Sequence, residues 1–281
     1  MKSDNLKVTV LQKALIWEDR IRNCARFGKT IDTLPKTDLI VLPEMFSTGF
    51  VTEPQSVAEG ANGKTLDWMK YKAVEKNCAI AGSVAVEEDG KYFNRFYFVT
   101  PKKGVDIASL KNSGYEEKLS AADAVYYDKH HLFTYSGENK RFTAGDHRVV
   151  VEWRGFRFLL LVCYDLRFPG WARNAIVRKD GIDAPEFDAI IYVASWPTVR
   201  LGAWTTLLHA RAIENQCFVI GANRVGDDPN CKYSGGSMIV NPYGKRIAEC
   251  KDGCEDACSA ELDMEELNAF RKKFPVLYDA D

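Results

Sequence analysis

The sequence predicts an α/β protein whose sheets are covered by helices on their outer faces. Three observations carry that expectation. Apolar runs at Leu39–Leu42, Phe156–Val162, Ala189–Ala194 and Phe218–Gly221 have the composition of buried, parallel-type strands. Stretches of helical periodicity separate several of these runs, and short turn signals join other strands into hairpins.

In chain order, Lys7 to Gln12 alternates Val8 and Val10 with polar neighbours. A helical face of Ile21, Cys24, Ala25 and Ile31 follows, and Leu39–Leu42 completes a β-α-β opening. Leu66, Met69, Ala73 and Val74 mark a second helix. The runs Cys78–Val86 and Tyr92–Thr100 then form a hairpin around Glu87-Glu-Asp-Gly90. Residues 101 to 122 are polar and read as a surface excursion. Order resumes at Ala124–Tyr127, and a tight turn at Arg154-Gly155 joins Val149–Trp153 to Phe156–Val162. Helices are expected at Trp171–Arg178, Leu201–Asn215 and Met264–Lys273. Short strands are expected at Gly236–Val240, Arg246–Glu249 and Ser259–Leu262, the last two as a hairpin about Gly253. The β-α-β pattern of the first third recurs loosely over residues 156 to 221, as an internal duplication would give. No linker divides the chain, so residues 1–281 read as a single domain.

The 281 residues are 46% hydrophobic, enough apolar material for a large core, and 38 basic against 39 acidic side chains leave a net charge of −1. So balanced a charge supplies no global field for nucleic acid or an anionic membrane, and any pull on a charged ligand must be local. The opening Met1-Lys-Ser-Asp-Asn lacks the basic and apolar regions of a leader, and no apolar run reaches eighteen residues. Eight irregularly spaced cysteines in a chain too long to need disulfide staples indicate a reduced, cytoplasmic protein. Cys250, Cys254 and Cys258 do not match a paired zinc knuckle, and His130 and His131 are not spaced for zinc, so no metal or other cofactor is expected.

Three segments place a reactive side chain directly after an apolar strand: Leu39-Ile-Val-Leu-Pro-Glu44, Tyr126-Tyr-Asp-Lys129 and Leu159-Leu-Leu-Val-Cys163. Singly, each has an ordinary reading as a loop carboxylate, a surface lysine or a small core thiol. Together they supply what amide hydrolysis needs. Cysteine attacks as thiolate, a nearby ammonium lowers its pKa, and a carboxylate can take its proton. The oxygen of the tetrahedral intermediate gains charge, for which the Lys129 ammonium and the Tyr164 backbone N–H are the candidate donors. His209, Arg211 and Glu214 share one helix and read as a structural charge set.

Leu-Pro-Glu44-Met-Phe, Tyr-Asp-Lys129-His-His-Leu-Phe and Cys163-Tyr-Asp-Leu-Arg167-Phe-Pro resemble the three signature blocks of the nitrilase superfamily. The resemblance extends through Asn94-Arg-Phe, Ala194-Ser-Trp-Pro197, Leu208 to Asn215 and Gly236 to Gly244, and is greatest to the ω-amidase branch. It implies an α-β-β-α sandwich of two mixed sheets, a Glu44–Lys129–Cys163 triad, and release of ammonia from the terminal carboxamide of small acids such as 2-oxoglutaramate and 2-oxosuccinamate through a thioester. It further implies Glu138 as a second glutamate and a homodimer. Arg167 would face the substrate's carboxylate, with Arg173 as a rival; Tyr164, Phe46 and Trp196 would line the pocket. The long gap between Glu44 and Lys129 departs from the family pattern and suggests a loop near the site entrance. A nitrilase, a carbamoylase, a deaminated-glutathione amidase, a non-catalytic binding subunit and a thiol redox sensor are the competing readings; the last would need a resolving cysteine, which the strand does not offer.

Overall fold

The computed structural model describes residues 5–110, 113–179 and 181–279, so the polar opening at 1–4 lies outside it. Twelve strands build two principal sheets. They are β1 (Asn5–Gln12), β2 (Leu39–Val41), β3 (Ala79–Glu88), β4 (Lys91–Pro101), β5 (Ala122–Asp128), β6 (Val150–Trp153), β7 (Phe156–Val162), β8 (Ala189–Val193), β9 (Phe218–Ala222), β10 (Met238–Val240), β11 (Arg246–Glu249) and β12 (Asp256–Asp263). The first sheet runs β12-β1-β2-β3-β4-β5, with Glu59–Gly60 added beside β3; the second runs β11-β10-β9-β8-β7-β6.

The sheets share one plan. Strands β1, β2 and β3 are parallel, as are β7, β8 and β9. Each parallel trio continues into two antiparallel strands and carries one antiparallel strand on its other edge. The strand plan of the duplication expected from the sequence is therefore present, although no α-helix connects β7 to β8.

Period-two alternation sorts the side chains of the first sheet. Val8, Val10, Leu39, Val41, Ala79, Ala81, Phe96 and Phe98 face the second sheet, and Phe98 stacks on Phe158 across the gap at 5.9 Å. Leu11, Ile40, Leu42, Ile80 and Val99 point the other way, under α1 (Arg20–Thr33) and α2 (Lys64–Lys76). Behind the second sheet, α4 (Leu201–Asn215) packs so closely on β9 that a Cβ at Gly221 would fall 2.7 Å from Leu208. Helix α5 (Met264–Lys273) is capped by Asp263, whose carboxylate accepts from the Glu266 N–H. Among the described residues no helix is long and apolar enough to cross a membrane.

Several expectations need correction. Residues Trp171–Arg178 form no helix: a turn leads into Ile176–Lys179, which pairs antiparallel with Ile182–Pro185. The cause is local, since β-branched Ile176 and Val177 favour extended backbone and Asn174 is pinned by hydrogen bonds to Asn215 and Phe187. Strands β11 and β12 are not a hairpin, because β11 joins the second sheet and β12 pairs with β1 in the first. Ile31 of α1 is buried as expected, but Ile21 is exposed, and Asn23, Phe27 and Gly28 complete the buried face. The polar excursion carries the short helix α3 (Tyr115–Ser120), whose Tyr115 stacks on Tyr71 of α2 at 5.4 Å. Val105, Ile107 and Leu110 pack under the same helix layer, so the excursion braces that layer, and none of its described residues borders the pocket.

Candidate active site

Glu44 follows β2 once Pro43 has ended the ladder, and its side chain is completely buried. One carboxylate oxygen accepts from Lys129 Nζ at 3.0 Å and Asn94 Nδ2 at 2.8 Å; the other accepts from the Ser195 backbone N–H at 2.8 Å. Lys129 directly follows β5 and has no exposed side-chain surface. Its ammonium also meets both oxygens of Glu138, at 2.9 and 3.1 Å. Glu138 begins a short 3-10 turn and lies fully buried, and its second oxygen also accepts from the Phe133 N–H at 2.6 Å.

Cys163 follows β7 with a backbone φ of 45° and opens a 3-10 turn to Arg167. A left-handed conformation is costly for a residue with a Cβ, so the surroundings must hold it. Asp165 does much of that. One of its oxygens takes the Tyr127 hydroxyl at 2.8 Å and the Val162 N–H at 2.9 Å, and the other takes the His131 N–H at 2.9 Å. This buried carboxylate thereby ties the cysteine turn to the segment carrying Lys129.

Charge in the cluster is set by burial and by neighbours. Burial alone would push the Lys129 ammonium down, but Glu138 and Glu44 hold it above its usual value. Glu138 is itself raised, first by burial, with Lys129 opposing and the like charge of Glu44 adding to the rise. Burial likewise lifts the Cys163 thiol well above its ordinary value, the Glu44 charge raises it further, and Lys129 and the Ser195 N–H only partly offset this. The lowering expected from the ammonium is present but outweighed. The Cys163 thiol is thus harder to ionise than an exposed one, and the Glu44 charge contributes to that.

Glu44, Lys129 and Cys163 line one pocket of about 480 Å³, together with Tyr164, Arg167 and Trp196. Glu138 lies behind Lys129. The Arg167 guanidinium rests over Trp196, 5.1 Å from the ring centre. Two expectations fail. Phe46 packs into the outer core against Phe27 and Trp68, at 5.5 and 5.6 Å, and is absent from the pocket wall. Arg173 donates to the Glu214 backbone carbonyl at 2.8 Å, also outside the pocket. As expected, Arg211 pairs with Glu214 at 2.8 Å.

Several lining residues carried no clear signal in the sequence: Phe50, Phe133, Tyr135, Arg200, Asp228 and Cys231. Asn94 was visible only as part of a resemblance, yet its amide nitrogen bridges Glu44 and Glu138, at 2.8 and 3.2 Å. Because both neighbours are carboxylates, the donor end of the amide must face them. Among the described residues no group of three His, Cys, Asp or Glu side chains is arranged to hold a metal.

The family model for carbon-nitrogen hydrolases matches residues 7–272. The chain belongs to that family. Within the family, an omega-amidase, YafV of Escherichia coli K12, is 42% identical over 98% of this chain and 97% of its own. A 2-oxoglutaramate amidase of Bacillus subtilis is 33% identical, covering 86% and 84% of the two chains. Among solved structures, XC1258 of Xanthomonas campestris, a CN-hydrolase superfamily protein with an arsenic adduct in its active site, superposes with a TM-score of 0.88 at 35% identity. That alignment covers 99% of this chain and 97% of the other. Saccharomyces cerevisiae Nit3, of the nitrilase superfamily, shares the fold at 22% identity and a TM-score of 0.75, over 97% and 95% of the chains. This carbon-nitrogen hydrolase thus has two mixed sheets flanked by helices, the architecture its sequence motifs implied.

Proposed function

We propose that this enzyme is a thiol amidase that hydrolyses the terminal carboxamide of a small carboxylic acid of the 2-oxoglutaramate or 2-oxosuccinamate type, releasing the acid and ammonia. The observation that carries the reading is the buried Glu44–Lys129–Glu138 cluster set against Cys163 in one pocket. The similarity to ω-amidases supports the choice of substrate class.

In this mechanism Glu44 takes the thiol proton as Cys163 Sγ bonds to the amide carbon. The oxygen that becomes negative is met by the Lys129 ammonium and the Tyr164 N–H. Collapse breaks the C–N bond, Glu44 returns its proton to the departing nitrogen, and ammonia leaves a thioester on Cys163. Glu44 then deprotonates a water that attacks the thioester, and as the C–S bond breaks and the acid leaves, Glu44 returns that proton to the Cys163 sulfur. Glu138 and Asn94 hold Lys129 and Glu44 in place throughout.

Ammonia release from 2-oxoglutaramate tests this reading directly. Cys163→Ala should abolish turnover with an unchanged melting profile, the native enzyme acid-quenched during turnover should carry the acyl mass on Cys163, and Glu44→Gln should form no such adduct. Turnover by Cys163→Ala would overturn the assignment. We infer in addition a homodimer formed through the outer helices. The contiguous apolar surface of Ile213, Tyr243, Phe270 and Phe274 supports it, and light scattering at micromolar concentration reads it.

A further inference from the structure

The pocket holds two guanidiniums. Arg167 lies over Trp196, and Arg200, half-buried at the start of α4, lies over Phe133 and Tyr135 at 5.4 and 5.9 Å. The two are linked through one residue, since Trp196 Nε1 donates to the Arg200 backbone carbonyl at 2.8 Å. Among the described residues neither guanidinium has a carboxylate within ion-pair distance or a hydrogen-bond acceptor.

The acids that share the pocket are already engaged. Glu44 serves Lys129, and Asp228 takes the Tyr233 hydroxyl at 2.5 Å and faces Arg224 at 3.7 Å. Aromatic faces hold a guanidinium plane while leaving its N–H edge free. The result is a positive rim on a pocket whose catalytic cluster is neutral to negative, in a protein of net charge −1. A volume of about 480 Å³ lies within the range that accommodates drug-sized ligands, leaving room for an acyl chain to reach that rim.

We propose that Arg200 is a specificity-determining residue: with Arg167 it forms a two-guanidinium site for the anionic end of the acyl chain, selecting amides of acids that carry a second, charged terminus over neutral amides of equal length. The proposal rests on the amidase reading above. The carboxylate docks against the N–H edges of both guanidiniums, placing the amide carbon at Cys163. Arg200 touches no reacting atom and acts on binding.

Glutaramate and its neutral counterpart pentanamide separate charge from length. Charge-assisted hydrogen bonds of this kind imply that Arg200→Gln raises KM for glutaramate roughly 10- to 100-fold with little change in kcat. Pentanamide kinetics should not move, and Arg200→Lys should recover part of the loss. Equal losses on both amides, or an unchanged preference for glutaramate, would overturn the proposal. Calorimetry of glutarate binding to Cys163→Ala, with and without Arg200→Gln, gives a readout independent of turnover. If the wild-type enzyme cleaves neither amide, the amidase reading fails; weaker glutarate binding in the Arg200→Gln background would still support the anion site, and unchanged binding would sink it.

Discussion

Replacing Lys129 by methionine removes the only cation of the buried cluster while nearly preserving its length. Three contacts disappear, at 2.9, 3.0 and 3.1 Å, and Glu44 and Glu138 are left facing one another with no side-chain exposure. Breaking a buried pair by deleting one partner costs roughly 3–5 kcal/mol. Here the penalty carries a pH dependence whose sign can be worked out. Two uncompensated carboxylates in one dry site cannot both ionise, so the folded variant keeps a proton that the unfolded chain releases near pH 4.3. A folded pKa above the unfolded one contributes stability that is complete below the unfolded value and is lost as pH rises towards the folded value. Over that window the loss is about 1.4 kcal/mol per pH unit for one extra bound proton, or about 4 kcal/mol between pH 5 and pH 8. Glu138 is already raised in the native enzyme, so the variant's slope should be steeper than the native one, not of new sign. Urea unfolding at several pH values between 5 and 8 measures both slopes. Superposable slopes, or a loss below 1 kcal/mol at pH 8, would refute the electrostatic account of the cluster.

Other substitutions test single placements. Phe46→Ala should destabilise the fold by about 3–5 kcal/mol, as for a buried ring in the outer core, yet leave KM unchanged in steady-state assays. Arg173→Ala should cost about 1 kcal/mol by removing a bond to the Glu214 carbonyl, with no effect on KM for an anionic amide. Asp165→Asn keeps the shape but faces at least one N–H or O–H donor with another donor. A loss of about 2–3 kcal/mol in chemical denaturation and a fall in kcat larger than any change in KM are expected, because the turn that aims Cys163 loosens.

The catalytic candidates were legible because each interrupts an apolar run at a strand's end, a signal that needs no tertiary knowledge. Pocket contacts were legible only in part, since Tyr164, Arg167 and Trp196 line the cavity and Phe46 and Arg173 do not, and the reason is visible at two points. Phe46 and Phe50 are four residues apart after the same strand, but Met45 adopts a left-handed φ of 43° and Met45 N–H bonds to Ser83 Oγ. That bend sends Phe46 outward under α1 and leaves Phe50 to approach Lys129, 5.2 Å from its ring. Sequence patterns flag left-handed backbone at glycine and asparagine, not at methionine. Arg173 looked suitable because a helix was expected through it. The anchoring of Asn174 redirects the chain, and the role falls open to Arg200, which in sequence is merely the residue before a helix. Asn94 escaped attention as a contact because its two carboxylate partners come from segments 50 and 44 residues away.

The duplicated sheet plan explains why a site assembled from such distant segments is rigid. In strand order β2 and β8 are counterparts, each the middle of a parallel trio. Their C-terminal continuations, Leu42-Pro-Glu44 and Ala194-Ser195, meet directly: the Glu44 N–H donates to the Ala194 carbonyl at 3.4 Å, and the Ser195 N–H to the Glu44 carboxylate at 2.8 Å. Two polar strand ends that would each need water in a single sheet therefore satisfy one another between the sheets. Glu44, the proposed general base, is fixed by backbone of the opposite half, and Cys163, the proposed nucleophile, directly follows β7, the strand next to β8. Any slippage of one sheet over the other would break the Glu44–Ser195 bond and separate base from sulfur together. Catalytic alignment and the packing of Phe98 on Phe158 are on this view one structural quantity, so that Phe98→Ala should lower kcat as well as stability although it lies in the core between the sheets and not in the pocket wall. Equal kcat in the native enzyme and a folded Phe98→Ala variant would separate the two and disprove the coupling.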